Sequence, residues 1–546
     1  MMQGLMQHHP LLISGLLTHA AREHGKVEIV SRTVEGPIHR TTWAGIAERA
    51  ARVAHALRRL GVEPGERVAT LAWNGYRHLE LFFGVSGAGI VLHTANPRLF
   101  PEQIEYMLTH AEDRVLFFDV TFAPLVASLA ARLTHVHTYV ALCAREDLPD
   151  APIPNLVAYE DLLAPESPSI DWPALDETAA SSLCYTSGTT GHPKGVLYSH
   201  RSTLLHAMSC GMVDGMGVSA LESILVCTPM FHVNGWGTPY TAAMTGAKLV
   251  LPGAHLDGAS LYSLLRAEAV TLTLGVPTVW LGLMAYVARE GLKPRDELRL
   301  RRVLVGGSAA PPALVLEFER VFGARVLHAW GMTETSPLGT TCTPRAEHDG
   351  ADLEARVALQ ASQGRPPYGV EFRITADDGR VLPRDGASPG HLLIRGHWVA
   401  AAYFGRDAGP ILDADGFFDT GDIATISDNG YLYITDRAKD VIKSGGEWIS
   451  SIDLENAALG HPGVAEAAAI GVHHPTWQER PLLVVVAKPG AALTAEALTS
   501  YLTGRVAKWW LPDAIEFVAE LPHTATGKLQ KMKLREQFRD YRLPGT

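Results

Sequence analysis

The sequence predicts an α/β protein: a large N-terminal domain of stacked α/β sheets with a small β region, followed by a small C-terminal α+β domain. Three observations predict this. Short apolar runs alternate with longer helical patterns over most of the chain, which implies largely parallel sheets joined by helices. After about Val370 the segments shorten and turn pairs crowd together. From about Ser451 the longer alternation returns.

In order, Val68–Trp73, Gly89–Thr94 and Val115–Asp119 read as buried strands, and Ile46–Leu60 as an amphipathic helix ending near Gly61. Leu249–Leu251, Thr271–Leu274 and Arg302–Val305 are further strands, with helices at Leu261–Ala267 and Pro312–Val321. The turns Asp377-Asp378-Gly379, Asp385-Gly386, Asp415-Gly416 and Asp428-Asn429-Gly430 favour hairpins and a small antiparallel region. Val464–Val472 and Leu482–Ala487 are strands of the last domain. A boundary near Asp436–Lys439 divides the chain into 1–436 and 437–546.

Composition narrows the function. The chain has 546 residues, and 47 basic against 58 acidic side chains leave a net charge of −11. That balance argues against bulk nucleic-acid binding, which normally shows a basic face, but permits a local anion site. Five cysteines without a CxxC pair suggest neither a zinc site nor a disulfide framework and fit a reducing cytosol. The N-terminal apolar run is broken by Pro10, Ser14 and Gly15, unlike a signal peptide. No run of 18 apolar residues predicts a membrane helix.

The chemistry starts at Tyr185–Gly195, YTSGTTGHPKG. Gly188, Gly191 and Gly195 let the backbone turn tightly and approach a ligand. Thr186, Ser187, Thr189 and Thr190 supply hydroxyls, and Lys194 a positive charge. Backbone N–H groups in such a turn can form an anion nest. A Walker A loop needs Gly, four residues, then Gly-Lys-Ser/Thr. Counted from Gly188, Pro193 replaces the second glycine and Gly195 the hydroxyl residue, so the loop is a phosphate cradle of another kind.

This loop resembles that of the AMP-forming acyl-CoA synthetases and related adenylating enzymes. Further motifs of that family follow in order: PMFHVNGW at 229–236, GGSAAP at 306–311, HAWGMTE at 328–334, FFDTGD at 417–422, DRAKDVIKSGGEWIS at 436–450 and PHTATGKL at 522–529. The resemblance spans roughly residues 40–535 and is greatest to bacterial medium- and long-chain fatty-acyl-CoA ligases and to methylmercaptopropionate–CoA ligases.

The resemblance implies ATP and CoA as co-substrates, Mg2+ as metal, and two half-reactions. A carboxylate attacks the α-phosphorus of ATP, giving acyl-AMP and pyrophosphate; the CoA thiol then displaces AMP. The acid is already ionised at neutral pH, so the site must supply charge neutralisation and alignment.

By resemblance, Thr186 and Glu334 hold Mg2+, and Lys528 delivers a cation to the α-phosphate and acyl carboxylate. Ser187, Gly188, Thr189, Thr190, Gly191 and Lys194 cradle phosphate. Gly307, His328, Ala329, Trp330, Gly331 and Thr333 line the nucleotide, with Trp330 stacking on adenine. Asp422, helped by Arg437, accepts the ribose hydroxyls. Lys439 is the hinge about which a mobile C-terminal lid rotates. That rotation brings Lys443, Gly445, Gly446, Glu447 and Trp448 to the site; the glycines and Glu447 pass the pantetheine arm, while Lys443 and Trp448 match AMP-contacting positions. His232 orients substrate and Trp236 gates the acyl pocket.

A medium-chain fatty acid is the expected substrate, with methylmercaptopropionate or a long-chain acid as alternatives. Adenylation for a carrier protein and luciferase-like oxidation form a second class. Fatty-acyl relatives suggest a cytoplasmic homodimer.

Overall fold

The computed structural model describes residues 2–186, 192–405, 409–444, 447–523 and 529–544, the side chain of Glu447 excepted. Two large sheets carry the N-terminal part. One runs, in spatial order, Leu338–Thr341, Arg325–Gly331, Arg302–Val305, Leu272–Gly275, Ser223–Val226, Lys248–Leu251, Glu28–Arg32 and Ile38–Thr42. The other runs Leu156–Ala158, Thr138–Ala141, Val115–Phe118, Arg67–Leu71, Val91–Thr94, Ala180–Tyr185 and Gly195–Ser199. Pairing is parallel in the interior of both and antiparallel at edges, including Ala180–Tyr185 with Gly195–Ser199.

The interior strands are apolar and fully covered, as parallel strands in a helix-flanked sheet must be. The helices Trp43–Arg59 and Tyr76–Gly87 pack between the sheets, and one apolar cluster runs through Val68, Leu92, Ile46, Phe82, Leu249 and Leu272. The largely parallel α/β sheets expected from the alternation are therefore present, and they stack. The first of these helices begins three residues before the expected Ile46, because the Thr42 hydroxyl accepts the Gly45 N–H and Trp43 is itself buried. The helix expected over Pro312–Val321 is α-helical only to Glu317 and widens over Phe318–Phe322 before Gly323.

The turn-rich region is a four-stranded antiparallel sheet of Val370–Thr375, Gly390–Gly396, Phe418–Ile426 and Leu432–Arg437. The Asp428-Asn429-Gly430 signal forms its last hairpin, with Gly430 at φ 88°. The C-terminal part is a five-stranded sheet of Ile442–Ser444, Glu447–Ile449, Val464–His474, Gln478–Ala487 and Ala514–Phe517, with helices Ser451–Leu459, Ala495–Leu502 and Lys531–Gln537. Its apolar residues form clusters of their own. All five cysteines are buried and free. Among the described residues no helix is long and apolar enough to cross a membrane.

Candidate active site

A cleft of 680 Å³ opens where the interior strands of both sheets end. Its lining includes Arg98 after Val91–Thr94, Thr186 after Ala180–Tyr185, Thr228 after Ser223–Val226, Val276 after Leu272–Gly275, and Gly306 and Gly307 after Arg302–Val305. Ligands of parallel α/β sheets bind at these carboxyl ends.

The ends of the loop between Tyr185 and Gly195 are tied together. The Thr186 backbone N–H donates to the Lys194 carbonyl at 2.8 Å, and the Lys194 N–H donates to the Thr186 hydroxyl at 3.2 Å. Ser187, Gly188, Thr189, Thr190 and Gly191 lie outside the described residues. Lys194 reaches over the Tyr403 ring at 4.7 Å. The Tyr403 hydroxyl donates to Glu334 Oε1 at 2.7 Å. The structure thus gathers Thr186, Lys194 and a buried carboxylate, Glu334, along one wall.

Ala329, Trp330, Gly331 and Thr333 line the cleft together with Gly307. The Trp330 indole N–H donates to Asp422 Oδ2 at 2.9 Å, while Arg437 pairs with Asp422 Oδ1 at 2.8 Å. Asp422 is buried and stands behind these two cleft-lining side chains. Trp330 also meets Phe372 edge to face, and a Cβ on Gly339 would run into its ring. The indole is both packed and cleft-facing.

His328 is buried behind this wall rather than on it. Its Nδ1–H donates to the Gln360 carbonyl at 3.0 Å, and its Nε2 accepts the Ala310 N–H at 3.3 Å. Burial pulls its pKa down to about 4, so the ring is neutral. It therefore braces the 306–311 turn against the strand Arg325–Gly331.

Trp236 lies in an unusual backbone. Val233, Asn234, Gly235, Trp236 and Gly237 have φ values of 39°, 42°, 62°, 55° and 69°. This is a left-handed turn, costing about 1–2 kcal/mol per L-residue, and a β-branched residue there is rare. Buried bonds hold it: Thr94 donates to Asn234 Oδ1 at 2.9 Å, Asn234 Nδ2 donates to Ser182 at 2.6 Å, and the Val233 N–H reaches Cys184 Sγ at 3.3 Å. The turn brings Trp236 to the cleft against Gly306, where a Cβ would sit 2.7 Å from its Cη2. Gly306 is thus required by the indole, a contact between distant segments that the motif alone did not identify. His232 also lines the cleft.

Beyond Trp236 the lining turns apolar. Trp236 packs on a cluster containing Cys210, Met216, Leu304 and Leu338, all of which also line the cleft. His206 stands among them with its pKa pulled down to about 3 by burial, and its Nε2 accepts the Leu338 N–H at 3.1 Å.

At the other end, Lys439, Asp440 and Leu529 line the cleft. Lys439 is held below the usual ammonium pKa, chiefly by partial burial. Next to it, Ser450 Oγ donates to the Thr435 carbonyl at 2.6 Å, and the Ser451 N–H donates to Asp436 Oδ2 at 2.7 Å. Lys531 pairs with Glu455 at 2.7 Å and also donates to Ser451 Oγ. Lys443 is exposed and Trp448 meets His391 edge to face at 6.3 Å; neither lines the cleft. Gly445, Gly446, the Glu447 side chain and Lys528 lie outside the described residues.

An AMP-binding enzyme family model matches residues 16–404, and the model of the AMP-binding enzyme C-terminal domain matches 453–528. The chain is 52% identical to a 3-methylmercaptopropionyl-CoA ligase of Ruegeria pomeroyi, over 99% of each chain. It is 51% identical to a medium-chain-fatty-acid–CoA ligase of Ectopseudomonas oleovorans, over 99% of this chain and 98% of that one. It also superposes on the crystal structure of the anthranilate CoA ligase AuaEII in complex with anthranoyl-AMP, with a TM-score of 0.85, 26% identity, and 97% of this chain and 99% of that chain covered. The chain belongs to the AMP-binding enzyme family and is an AMP-forming acid–CoA ligase. ATP and CoA are its co-substrates and Mg2+ is the metal of this class.

Proposed function

We propose that the acid is a medium-chain fatty acid. The observation that carries this reading is the apolar end of the cleft, built by Cys210, Met216, Leu304 and Leu338 around Trp236. The charged lining residues are Arg98, Lys194, Glu334, Asp419, Arg437, Lys439 and Asp440, and none of them belongs to that apolar cluster. Such a pocket offers burial to an alkyl tail and no counter-charge to a polar one. A second reading, methylmercaptopropionate, draws support from Trp236 itself, whose indole against Gly306 would shorten the pocket.

On this reading, Trp236 swings away from Gly306 to admit longer tails, and His232 orients the carboxylate. Thr186 and Glu334 hold Mg2+. Their chemistry fits: the Glu334 carboxylate is buried with the Tyr403 hydroxyl on one oxygen and has no paired cation among the described residues. No three-ligand protein cluster for a metal exists among those residues, so phosphate oxygens and water would complete the shell. Mg2+ bound there would neutralise the phosphates. Lys194 and the loop from Ser187 to Gly191 bind phosphate, Trp330 stacks on adenine, and Asp422 with Arg437 receives the ribose. Gly307, Ala329, Gly331 and Thr333 approach the nucleotide through the backbone.

The part beyond Asp436 acts as a lid hinged at Lys439. The described orientation, with Leu529 in the cleft and Lys443 outside it, suits the adenylation half-reaction. Rotation would then carry Lys443, Gly445, Gly446, Glu447 and Trp448 inward for thioester formation. A homodimeric, cytoplasmic enzyme extends the reading by analogy.

CoA-dependent AMP release over acids from acetate to palmitate, with methylmercaptopropionate included, tests the substrate. A maximum at medium chain length is expected. A maximum at methylmercaptopropionate or at palmitate would replace the medium-chain reading.

A further inference from the structure

Tyr403 touches both charges of the cleft wall. Its hydroxyl donates to Glu334 Oε1 at 2.7 Å, and the Lys194 ammonium lies 4.7 Å from its ring centre. It is half-buried and lines the cleft with both of them. It stands 69 residues after Glu334, so no motif spacing reports the contact.

The segment that carries Tyr403 is fixed at both ends. The Ala400 N–H donates to the Glu334 carbonyl at 2.8 Å, and the Phe404 N–H donates to the Gly195 carbonyl at 2.8 Å. Between these bonds, Ala400 and Tyr403 pack on Cys184, Val196 and Tyr198. The Tyr198 hydroxyl in turn donates to the Thr333 carbonyl at 2.7 Å. The ring is thus tied to the backbone beside Lys194 and to the backbone of Glu334 itself.

The phenol is the donor, because a carboxylate oxygen can only accept. It occupies one Glu334 oxygen and leaves the other for one-point binding of a cation. Mg2+ takes few protein ligands and demands near-octahedral geometry, which one-point binding suits. Partners that orient a ligating carboxylate change metal affinity by about 10–100-fold.

The ring acts on the opposite charge. A lysine beside a buried carboxylate ordinarily pairs with it, and the pair would use up both charges. Among the described residues no ion pair joins Lys194 to Glu334; the cation rests on the ring and the anion takes the hydroxyl. Cation–π attraction holds the ammonium without neutralising it.

We propose that Tyr403 is a positioning residue for adenylation: its hydroxyl holds Glu334 with one oxygen left for Mg2+, and its ring keeps Lys194 from pairing with that carboxylate. The proposal rests on the reading of Glu334 as a metal ligand and Lys194 as a phosphate ligand.

The test compares Tyr403→Phe, Tyr403→Leu and Glu334→Gln with the unaltered full-length enzyme. Calorimetry reads equilibrium binding of ATP across a Mg2+ titration and in EDTA, with AMP as the reference nucleotide. Phenylalanine keeps the ring and loses the hydroxyl. It should raise the Mg2+ concentration for half-maximal ATP binding about 10-fold. Its ATP affinity in EDTA should stay within about twofold of the parent. Leucine loses the ring as well and frees Lys194 to pair with Glu334. It should also weaken ATP in EDTA about fivefold or more. AMP affinity should stay within about twofold throughout. Added to Glu334→Gln, Tyr403→Phe should raise the Mg2+ requirement no further, since both act on one carboxylate.

Three results would overturn the proposal. An unchanged Mg2+ requirement in Tyr403→Phe, beside a raised one in Glu334→Gln, would show the hydroxyl to be idle. Equal ATP affinity of the phenylalanine and leucine variants in EDTA would deny the ring its role. Equal weakening of AMP and ATP would make Tyr403 a brace of the wall. If the phenylalanine variant melts early, Tyr403→Met, which fills the space without a donor, replaces it in the Mg2+ titration. A Mg2+ requirement unmoved in Glu334→Gln would refute the reading of Glu334 as a metal ligand and this proposal with it, a pattern distinct from the first.

Discussion

Two tryptophans face the cleft on contrasting supports. Trp330 extends from a regular strand, with its indole N–H bonded to Asp422 and its ring seated over Gly339. Trp236 stands on five consecutive positive-φ residues, with no partner for its indole N–H among the described residues. The first ring is held by its own contacts. The second is aimed by strained backbone, and strain that persists at a site points to function. A fixed indole suits a fixed ligand such as adenine; a ring held only by packing can leave its place.

Replacing each ring should show that contrast. Trp330→Ala removes packing, the Asp422 bond and the proposed adenine platform together. It should lower the melting temperature by several degrees, in line with a core-type loss of about 3 kcal/mol or more. It should also raise KM for ATP about 10-fold or more. Thermal melting and exchange kinetics read both effects, and an unchanged KM for ATP would remove adenine stacking while leaving the packing role.

Trp236→Ala should cost less stability and chiefly alter the profile across acid chain lengths. Gly306→Val is its complement. Its new side chain claims the place of the indole and should displace the ring without altering Trp236. If both variants keep the parental chain-length profile, Trp236 is a packing residue and the contrast fails.

A further effect concerns pH. Each support has a buried neutral histidine behind it: His328 braces the Trp330 strand, and a Cβ on Gly237 would sit 2.6 Å from the His206 ring. Their pKa values are about 4 and about 3, against an ordinary 6.5, because burial disfavours the charged ring. Between those limits the unfolded chain binds more protons than the folded one, so stability rises with pH. The contribution is full above pH 6.5 and is lost as pH falls toward 4 and then 3. Each is worth about 3–5 kcal/mol at the acid limit. Urea melts at pH 7 and pH 5 should differ in midpoint, and His206→Asn should reduce that difference. Equal midpoints would mean that neither ring is kept neutral by the fold.

What was legible in the sequence followed local chemistry. Arg302–Val305 and Val115–Phe118 are apolar runs too short for helices, and they are strands. Asp-Asn-Gly at 428–430 needs a left-handed glycine, and a hairpin stands there. The motifs identified Thr186, Glu334 and Trp330, and the fold draws these distant segments to one cleft.

The rest depends on partners far apart in the chain. Gly306 matters because of Trp236, and Tyr403 matters because Lys194 and Glu334 meet it from distant segments. Asn234 tolerates its left-handed backbone because Thr94 and Ser182 satisfy its amide. No local pattern reports such encounters. The orientation of Lys443 and Trp448 is likewise a property of how two parts sit together, not of either segment.

The bonds that join Thr186 to Lys194 have a thermodynamic consequence. These residues are eight apart, and two hydrogen bonds close the loop between them. The entropy of bringing its ends together is met when the protein folds, not when nucleotide arrives. Changes within the loop should then register in nucleotide affinity and leave the sheet beneath it undisturbed. Loss of the Thr186 hydroxyl would leave only the backbone bond, loosening the closure and making binding bear part of the cost of ordering the loop.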